Sequence, residues 1–469
     1  MALRFKLLAL LLTLPFVLAP VITRVKVVGA GNMHPRPPRL PQKGNGTRKV
    51  FFDARKHQTN YFGPGREKSP PIDVKEVLIG YFGPDTSSHP QAGDMWSAAC
   101  LAIQKANETG GYKGIPFRLV AGWSDNPWGS GISKVVRMAY VDRVWAFIGG
   151  IDGPSTHLAE QVVAKARLTL LNPGCTDKTV NLANVPWMFS CLPGDHVQAP
   201  VLADAISLHV GRKPSVRSTK DFLLVSATDH DSHLFTVELN RSLTKQEIVP
   251  SYHFEFKHND EDHTELVEKI AKSSARAIVV IAGARDSARL ISAVRKKGFT
   301  GCIFGGPSMG RRRFLEEAGQ AAEGVIFPLL YIPEGGQTSV DAAPDDAHSF
   351  ALGANPGKSV ILHEQYAGDS FEKEFSSRFG SSPDYLAAHT YDAVNLLIAA
   401  IRKAGLNRAR IRDEVRELSL FTGVTGAIKW DTLGGNSRTV RLGTVRAGRV
   451  ISASDFGELD EAKPHFSQR

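Results

Sequence analysis

Two short stretches carry side chains that could hold an anion. In the first, an apolar run (Val144 to Ile148) meets Gly149-Gly150, and Ser155 and Thr156 then open a helical pattern. In the second, the apolar run Leu168 to Leu171 ends in Asn172-Pro173-Gly174-Cys175-Thr176. A helix N-terminus leaves backbone N–H groups unpaired and carries a positive partial charge, so hydroxyls placed there can hold a negative group. The alternative is structural: Ser155 as a helix cap and the two glycines as a tight turn. Cys175 and Ser155 lack an identifiable base partner, Ser155 does not stand in a Gly-x-Ser-x-Gly elbow, and no phosphate-binding loop occurs. No catalytic pair is visible, so an enzyme is not expected.

Two other clusters have metal-ligand residue types. They are Asp229-His230-Asp231-Ser232-His233 and His258-Asn259-Asp260-Glu261-Asp262-His263. Both sit beside helix starts, where Asp and His commonly cap or face water. The first follows a strand and reads as a loop facing a cleft. The second reads as a solvated loop, with Asp262 and Glu265 as a capping box. Neither a metal nor a cofactor is expected.

The elements that must position these loops alternate. From Val77 to Thr176 the pattern is β-α-β-α-β-α-β with short connections, and it restarts after a crossing segment at Pro186 to Pro193. Alternation of this kind predicts doubly wound parallel sheets, which take ligands outside the carboxyl ends of their strands. The fold class is α/β, with two Rossmann-like halves.

The net charge of +10 suggests nucleic acid until its distribution is read. Thirteen basic residues precede Val74 against Asp53, Glu67 and Asp73, so the remainder, with 44 of each sign, is neutral. The globular part therefore carries no nucleic-acid footprint. Residues 1–30 have a basic start and an apolar run, which predicts a signal peptide or an N-terminal anchor and an exported, periplasmic protein. Residues 31–73, rich in Pro, Gly and basic residues, read as a disordered linker. Residues 456–469 read as a tail. Four cysteines are too few for a disulfide framework, and pairing of Cys175 with Cys191 stays open beside free thiols.

The motifs VLIGYFGP, AIQKANETGGYKG, FIGGIDGPST, LTLLNPGCTD, AAEGVIF and TGVTGAIKWDTLG, in this order, make the chain resemble the substrate-binding proteins of branched-chain amino-acid ABC transporters. The resemblance implies a type I periplasmic binding protein architecture, with two lobes joined by three crossing strands. One lobe would be 74–192 and 334–425, the other 193–333 and 426–455. It also implies a small polar ligand (an amino acid or a related carboxylate or amide) and a membrane permease as partner. A ligand-sensing module of the same fold is the alternative. In that family the ligand carboxylate is held by loops matching Ile151 to Thr156 and Pro173 to Thr176. This brings in Asp152, Gly153, Ser155, Thr156, Cys175 and Thr176, with a family serine falling on Gly153. Positions facing them from the other lobe fall near Asp231 and at Ala284 or Arg285. The acid that usually pairs the ligand's amino group aligns with Ser308, and Asp152, Asp229 or Asp231 could substitute for it.

Overall fold

The computed structural model describes residues 60–210, 222–333 and 368–453. The expected signal segment, the linker as far as residue 59 and the tail lie outside these residues. Among those described, no helix is long and apolar enough to cross a membrane.

The chain lays down β1 (Val77–Phe82), α1 (Gly93–Glu108), β2 (Phe117–Ala121), α2 (Ile132–Tyr140), β3 (Phe147–Gly149), α3 (Gly153–Ala166), β4 (Leu170–Asn172), α4 (Thr179–Leu182) and β5 (Met188–Pro193). It continues with α5 (Asp195–Val210), β6 (Phe222–Ala227), α6 (His230–Lys245), β7 (Tyr252–Phe256), α7 (Thr264–Lys272), β8 (Ala277–Ile281), α8 (Ala284–Lys296), β9 (Cys302–Gly305), α9 (Arg312–Ala318) and β10 (Ile326–Leu329). Then come α10 (Gly368–Phe379), α11 (Tyr385–Ala404), α12 (Arg408–Glu417), the hairpin β11 (Phe421–Gly423) and β12 (Gly426–Ile428), β13 (Gly435–Asn436), β14 (Arg441–Arg446) and β15 (Arg449–Ser452).

The strands form two sheets, in the orders β13-β5-β4-β3-β1-β2 and β15-β14-β10-β9-β8-β6-β7. The pairs from β1 to β5 and from β6 to β10 are parallel. β14 and β15 add an antiparallel edge. Strands covered on both faces read as continuous apolar runs, which is why β1, β6 and β8 were legible. In the first lobe α1 and the apolar α11 pack on one face, and α2 and α3 on the other. In the second, α7, α8 and α9 lie on one face, with α5 and α6 opposite.

The chain changes lobe three times: between β5 and α5, between β10 and α10, and between β13 and β14. The last change falls later than the expected residue 426. Phe421, Ile428 and Trp430 are buried in the first lobe's core, and β13 runs beside β5. The linker expectation also needs correcting at its end. Tyr61 is buried beside Trp187 with ring centroids 4.7 Å apart, and Arg66 clamps Asp413 with bonds of 2.5 and 2.8 Å. Asn407 Nδ2 donates to Gly65 O and Lys68 O. An aromatic ring and a bidentate ion pair outweigh a disorder-prone composition here.

Candidate functional site

In each sheet the strand order reverses next to its first strand, between β1 and β3 and between β6 and β8. The loops leaving the carboxyl ends of the strands on either side face each other across a cleft of about 580 Å³. From the first lobe the walls are Pro90, Gln91, Ile151, Asp152, Pro154, Gly174, Thr176, Tyr385 and Leu386. From the second they include Asp229, His230, Asp231, Phe235, His258, Arg285, Asp286, Arg289, Ser308, Arg311 and Arg313. The volume lies in the range of small-molecule pockets.

The first anion loop is built by a capping box. Asp152 is the N-cap of α3, with extended backbone (φ −155°, ψ 176°). Its Oδ1 accepts the Ser155 N–H at 2.8 Å, and Ser155 Oγ accepts the N–H groups of Ile151 and Asp152 at 3.0 and 3.3 Å. The helix therefore starts at Gly153, two residues before Ser155. Thr156 Oγ1 donates to Asp152 O and accepts from Asn172 Nδ2 at 2.8 Å. Ser155 and Thr156 are fully buried and absent from the cleft wall; their hydroxyls hold the loop rather than line the cavity.

Asn172, which the sequence did not single out, ties the two anion loops together. Its Nδ2 also donates to the carbonyls of Gly149 and Gly150 at 2.7 and 3.0 Å. Its Oδ1 accepts the N–H groups of Gly174 and Cys175 at 3.2 and 2.8 Å. Gly150 stands at φ +75°, and a Cβ there would meet Thr156 Oγ1 at 2.1 Å, so no other residue fits this turn. Cys175 is buried in the core beneath the loop, where burial pushes its thiol well up. It and Cys191 are free and sit in different core clusters.

Opposite stands the second lobe's first helix turn. Asp229 caps α6 by accepting the Ser232 N–H at 3.0 Å. Asp231 reaches across the cleft, and its two oxygens accept the Gly153 N–H at 3.0 and 3.3 Å. Burial and the nearby Asp152 push the Asp231 carboxyl up to about 7. An acid of the chain itself thus occupies the N-terminus of α3. Thr176, Asp152, Asp231, Arg285 and Ser308 line the cavity; Gly153 and Cys175 lie just behind it. Ser308 Oγ donates to Ala282 O at 2.6 Å, and Arg285 lies 3.7 Å from Glu317.

Further contacts join the lobes on both sides of the cleft. Arg311 pairs with Asp384, the N-cap of α11, and donates to Gln91 O at 3.0 Å. Arg312 bonds Asp94 at 2.9 and 3.2 Å. Lys178 bonds Glu238 at 2.5 Å. Tyr385 brings an aromatic wall under Arg311, whose guanidinium carbon lies 5.8 Å from the ring centroid. The signal for Tyr385 is Asp384 just before the apolar helix pattern, an N-cap type that places the start of α11 at Tyr385. Trp123 and Trp145 pack on core clusters and Trp128 is exposed; none lines the cleft.

Among the described residues one group has the make-up of a metal site: His157, Asp177 and His230. Asp177 Oδ2 lies 3.2 Å from His157 Nε2 and 3.0 Å from His230 Nε2. Burial pushes the Asp177 carboxyl up, but bonds from His157, Thr179 and His230 outweigh it and hold it well below the carboxylate range. Asp177 and Glu160 in turn push His157 up to about 9. In the His258 cluster, His258 Nδ1 meets Asp286 Oδ2 at 2.7 Å on the cleft wall. The expected capping box of α7 is not formed: His263 is the N-cap, and Asp262 accepts the N–H of Thr264.

Residues 76–449 match the family described as Periplasmic binding protein. An amino acid binding protein of Pseudomonas aeruginosa is 24% identical over 77% of this chain and 87% of its own length. Among solved structures, the branched-chain amino acid transporter substrate-binding protein LivJ of Streptococcus pneumoniae, in complex with isoleucine, superposes with a TM-score of 0.65 at 20% identity. That match covers 80% of this chain and 98% of LivJ. A solute-binding protein of R. palustris in complex with benzoate gives the same TM-score at 13% identity, covering 81% and 95%. The chain belongs to the periplasmic binding protein family, a family of extracytoplasmic solute binders rather than enzymes.

Proposed function

We propose that this periplasmic binding protein closes on a small zwitterion, an amino acid or a close relative, and delivers it to an ABC permease. The observation that carries this reading is the bond from the Gly153 N–H to Asp231 across the cleft. The N-terminus of α3 is a site for a carboxylate, and here a carboxylate already fills it. A ligand that brings its own carboxylate competes for Gly153 and releases Asp231. The released Asp231 then faces the ligand's ammonium, the partner that Ser308 does not provide. A zwitterion satisfies both groups at once, whereas a plain carboxylate leaves Asp231 buried and unpaired. Thr176, Asp152 and Arg285 line the same space. Closure is stabilised by a ligand that touches both lobes, and the closed form is what a permease would read.

The test is calorimetric titration of the purified protein with leucine, isoleucine, valine, other amino acids, short amides and small carboxylates. The expected result is saturable binding of at least one amino acid and weaker binding of the carboxylic acid that lacks its amino group. Binding of the plain acid as tight as that of the amino acid would overturn the zwitterion reading.

A further inference from the structure

We propose that His157, Asp177 and His230 form a site for a divalent transition-metal cation of the zinc class, and that the bound cation staples the two lobes together. The three donor atoms come from separate places in the chain. His157 lies on α3, Asp177 follows β4, and His230 opens α6 of the other lobe. All three lie within 4.8 Å of one another.

A tetrahedral zinc ion with ligands at about 2.0–2.2 Å holds them roughly 3.3 Å apart. The two edges measured from Asp177 Oδ2, 3.2 and 3.0 Å, are already close to that. The two imidazole rings stand edge to face, at 89°, so both Nε2 atoms can point at one centre without stacking. Two imidazoles and one carboxylate select zinc and its neighbours over calcium or magnesium, which prefer all-oxygen shells.

A second, independent observation lies behind His157. Glu160, 4% exposed, approaches His157 Nδ1 with Oε2 at 3.5 Å, while its buried Oε1 lacks a hydrogen-bond partner. A carboxylate behind a histidine is the usual support for a metal-binding imidazole, since it fixes which nitrogen faces the metal. A dication also balances the two buried carboxylates, Asp177 and Glu160, with both imidazoles neutral. Thr179 Oγ1, now 2.9 Å from His157 Nε2, gives up that contact to the cation. The fourth position is left to water.

Two ligands belong to the first lobe and one to the second, so the full set exists only when the lobes are together. A cation that requires all three binds the closed arrangement and raises its population. This inference does not depend on which solute fills the cleft.

The test uses the full-length protein, stripped of metal, titrated with zinc chloride alone by calorimetry, with small-angle scattering on the same samples. We expect one zinc ion per chain and a smaller radius of gyration when zinc is bound. His230→Ala, an exposed change that spares both cores, should weaken zinc at least tenfold and abolish the change in radius. His157→Ala and Asp177→Asn should do the same. His230→Cys should restore zinc binding, because a thiolate replaces the imidazole as donor; a merely structural contact would not be rescued this way. Absence of saturable zinc binding to the unaltered protein overturns the proposal, as does binding that survives His230→Ala or a His230→Cys variant as weak as the alanine.

Discussion

The carboxylate of Asp231, on the first turn of α6, caps α3 of the opposite lobe through the Gly153 N–H, at 3.0 Å. A single amide hydrogen thus links the two halves at the floor of the cleft. Gly153 can approach so closely because it has no Cβ. A methyl group there would stand 2.5 Å from Asp231 Oδ1 and 2.6 Å from His230 Cδ2.

Gly153→Ala should therefore hold the lobes apart while each still folds. Gly153 is at the helix start without a left-handed backbone, so the clash is with the other lobe only. We expect a larger radius of gyration by small-angle scattering and affinity for the cognate solute reduced at least tenfold. A melting temperature within a few degrees of the parent should accompany it. An unchanged radius would show that the two lobes do not meet at Gly153 in solution.

Asp231→Asn keeps the shape and an acceptor for Gly153 but removes the charge. Amino-acid affinity should fall about tenfold or more, roughly 1.4 kcal/mol, because the ligand ammonium loses its ionised partner. The same ligand's deaminated acid should be unaffected or bind better. Equal losses for both compounds in a calorimetric comparison would place Asp231 away from the ammonium.

Asn172 makes five hydrogen-bond contacts inside the first lobe: the two Nδ2 hydrogens are shared among Gly149 O, Gly150 O and Thr156 Oγ1, and Oδ1 accepts from the Gly174 and Cys175 N–H groups. Removing it leaves buried backbone groups without partners. Asn172→Ala should cost about 3 kcal/mol, seen as a lower urea midpoint with an unchanged slope. A loss below about 1 kcal/mol would mean that water replaces the amide.

His389, inside α11, is fully buried, and burial followed by the charge of Arg438 pushes it down to about 3 from its ordinary 6.5. The unfolded chain therefore takes up a proton that the folded chain refuses. The stability it contributes is fully present above pH 6.5 and is lost as pH falls towards 3. Between pH 7 and pH 5 this amounts to about 2 kcal/mol. Asp392, one turn on, has the opposite sign: burial pushes it up to about 6, so its contribution declines as pH rises from 3.8 through 6. His389→Leu should remove the acid-sensitive term and leave a stability that falls with rising pH in this window. Urea melts at several pH values would read it directly, and a slope equal to the parent's would show that His389 is charged when folded.

Much of the fold was legible because buried parallel strands are short apolar runs. Val77–Phe82 and Ala277–Ile281 are such runs, buried along almost their whole length, whereas Tyr252–Phe256, an edge strand, is largely exposed. β13, two residues long, and β15, a short edge strand, carry no comparable pattern. At the site, the right loops were read but not the right atoms. Ser155 and Thr156 have the side chains that bind anions, yet the same hydroxyls satisfy the capping box and Asn172. A local sequence pattern does not reveal which of the two uses prevails. Nor could spacing bring His157 and Asp177 to His230, since that encounter depends on how the lobes close. Asp231 was picked out as a neighbour of the cleft; its bond to Gly153, 78 residues away, belongs to the tertiary structure alone.

The docking of Tyr61 and Arg66 on Trp187 and Asp413 sets the mechanics of any opening. Residues 61–68 are fastened to the first lobe, next to α12. With the first lobe taken as the stator, the second is the rotor. A swing about the three crossings would carry Asp231 and His230 away from Gly153, Asp152 and Thr176, which move as one body with residues 61–68. Labels for following closure by distance measurement belong on the second lobe, with the reference label near residue 60.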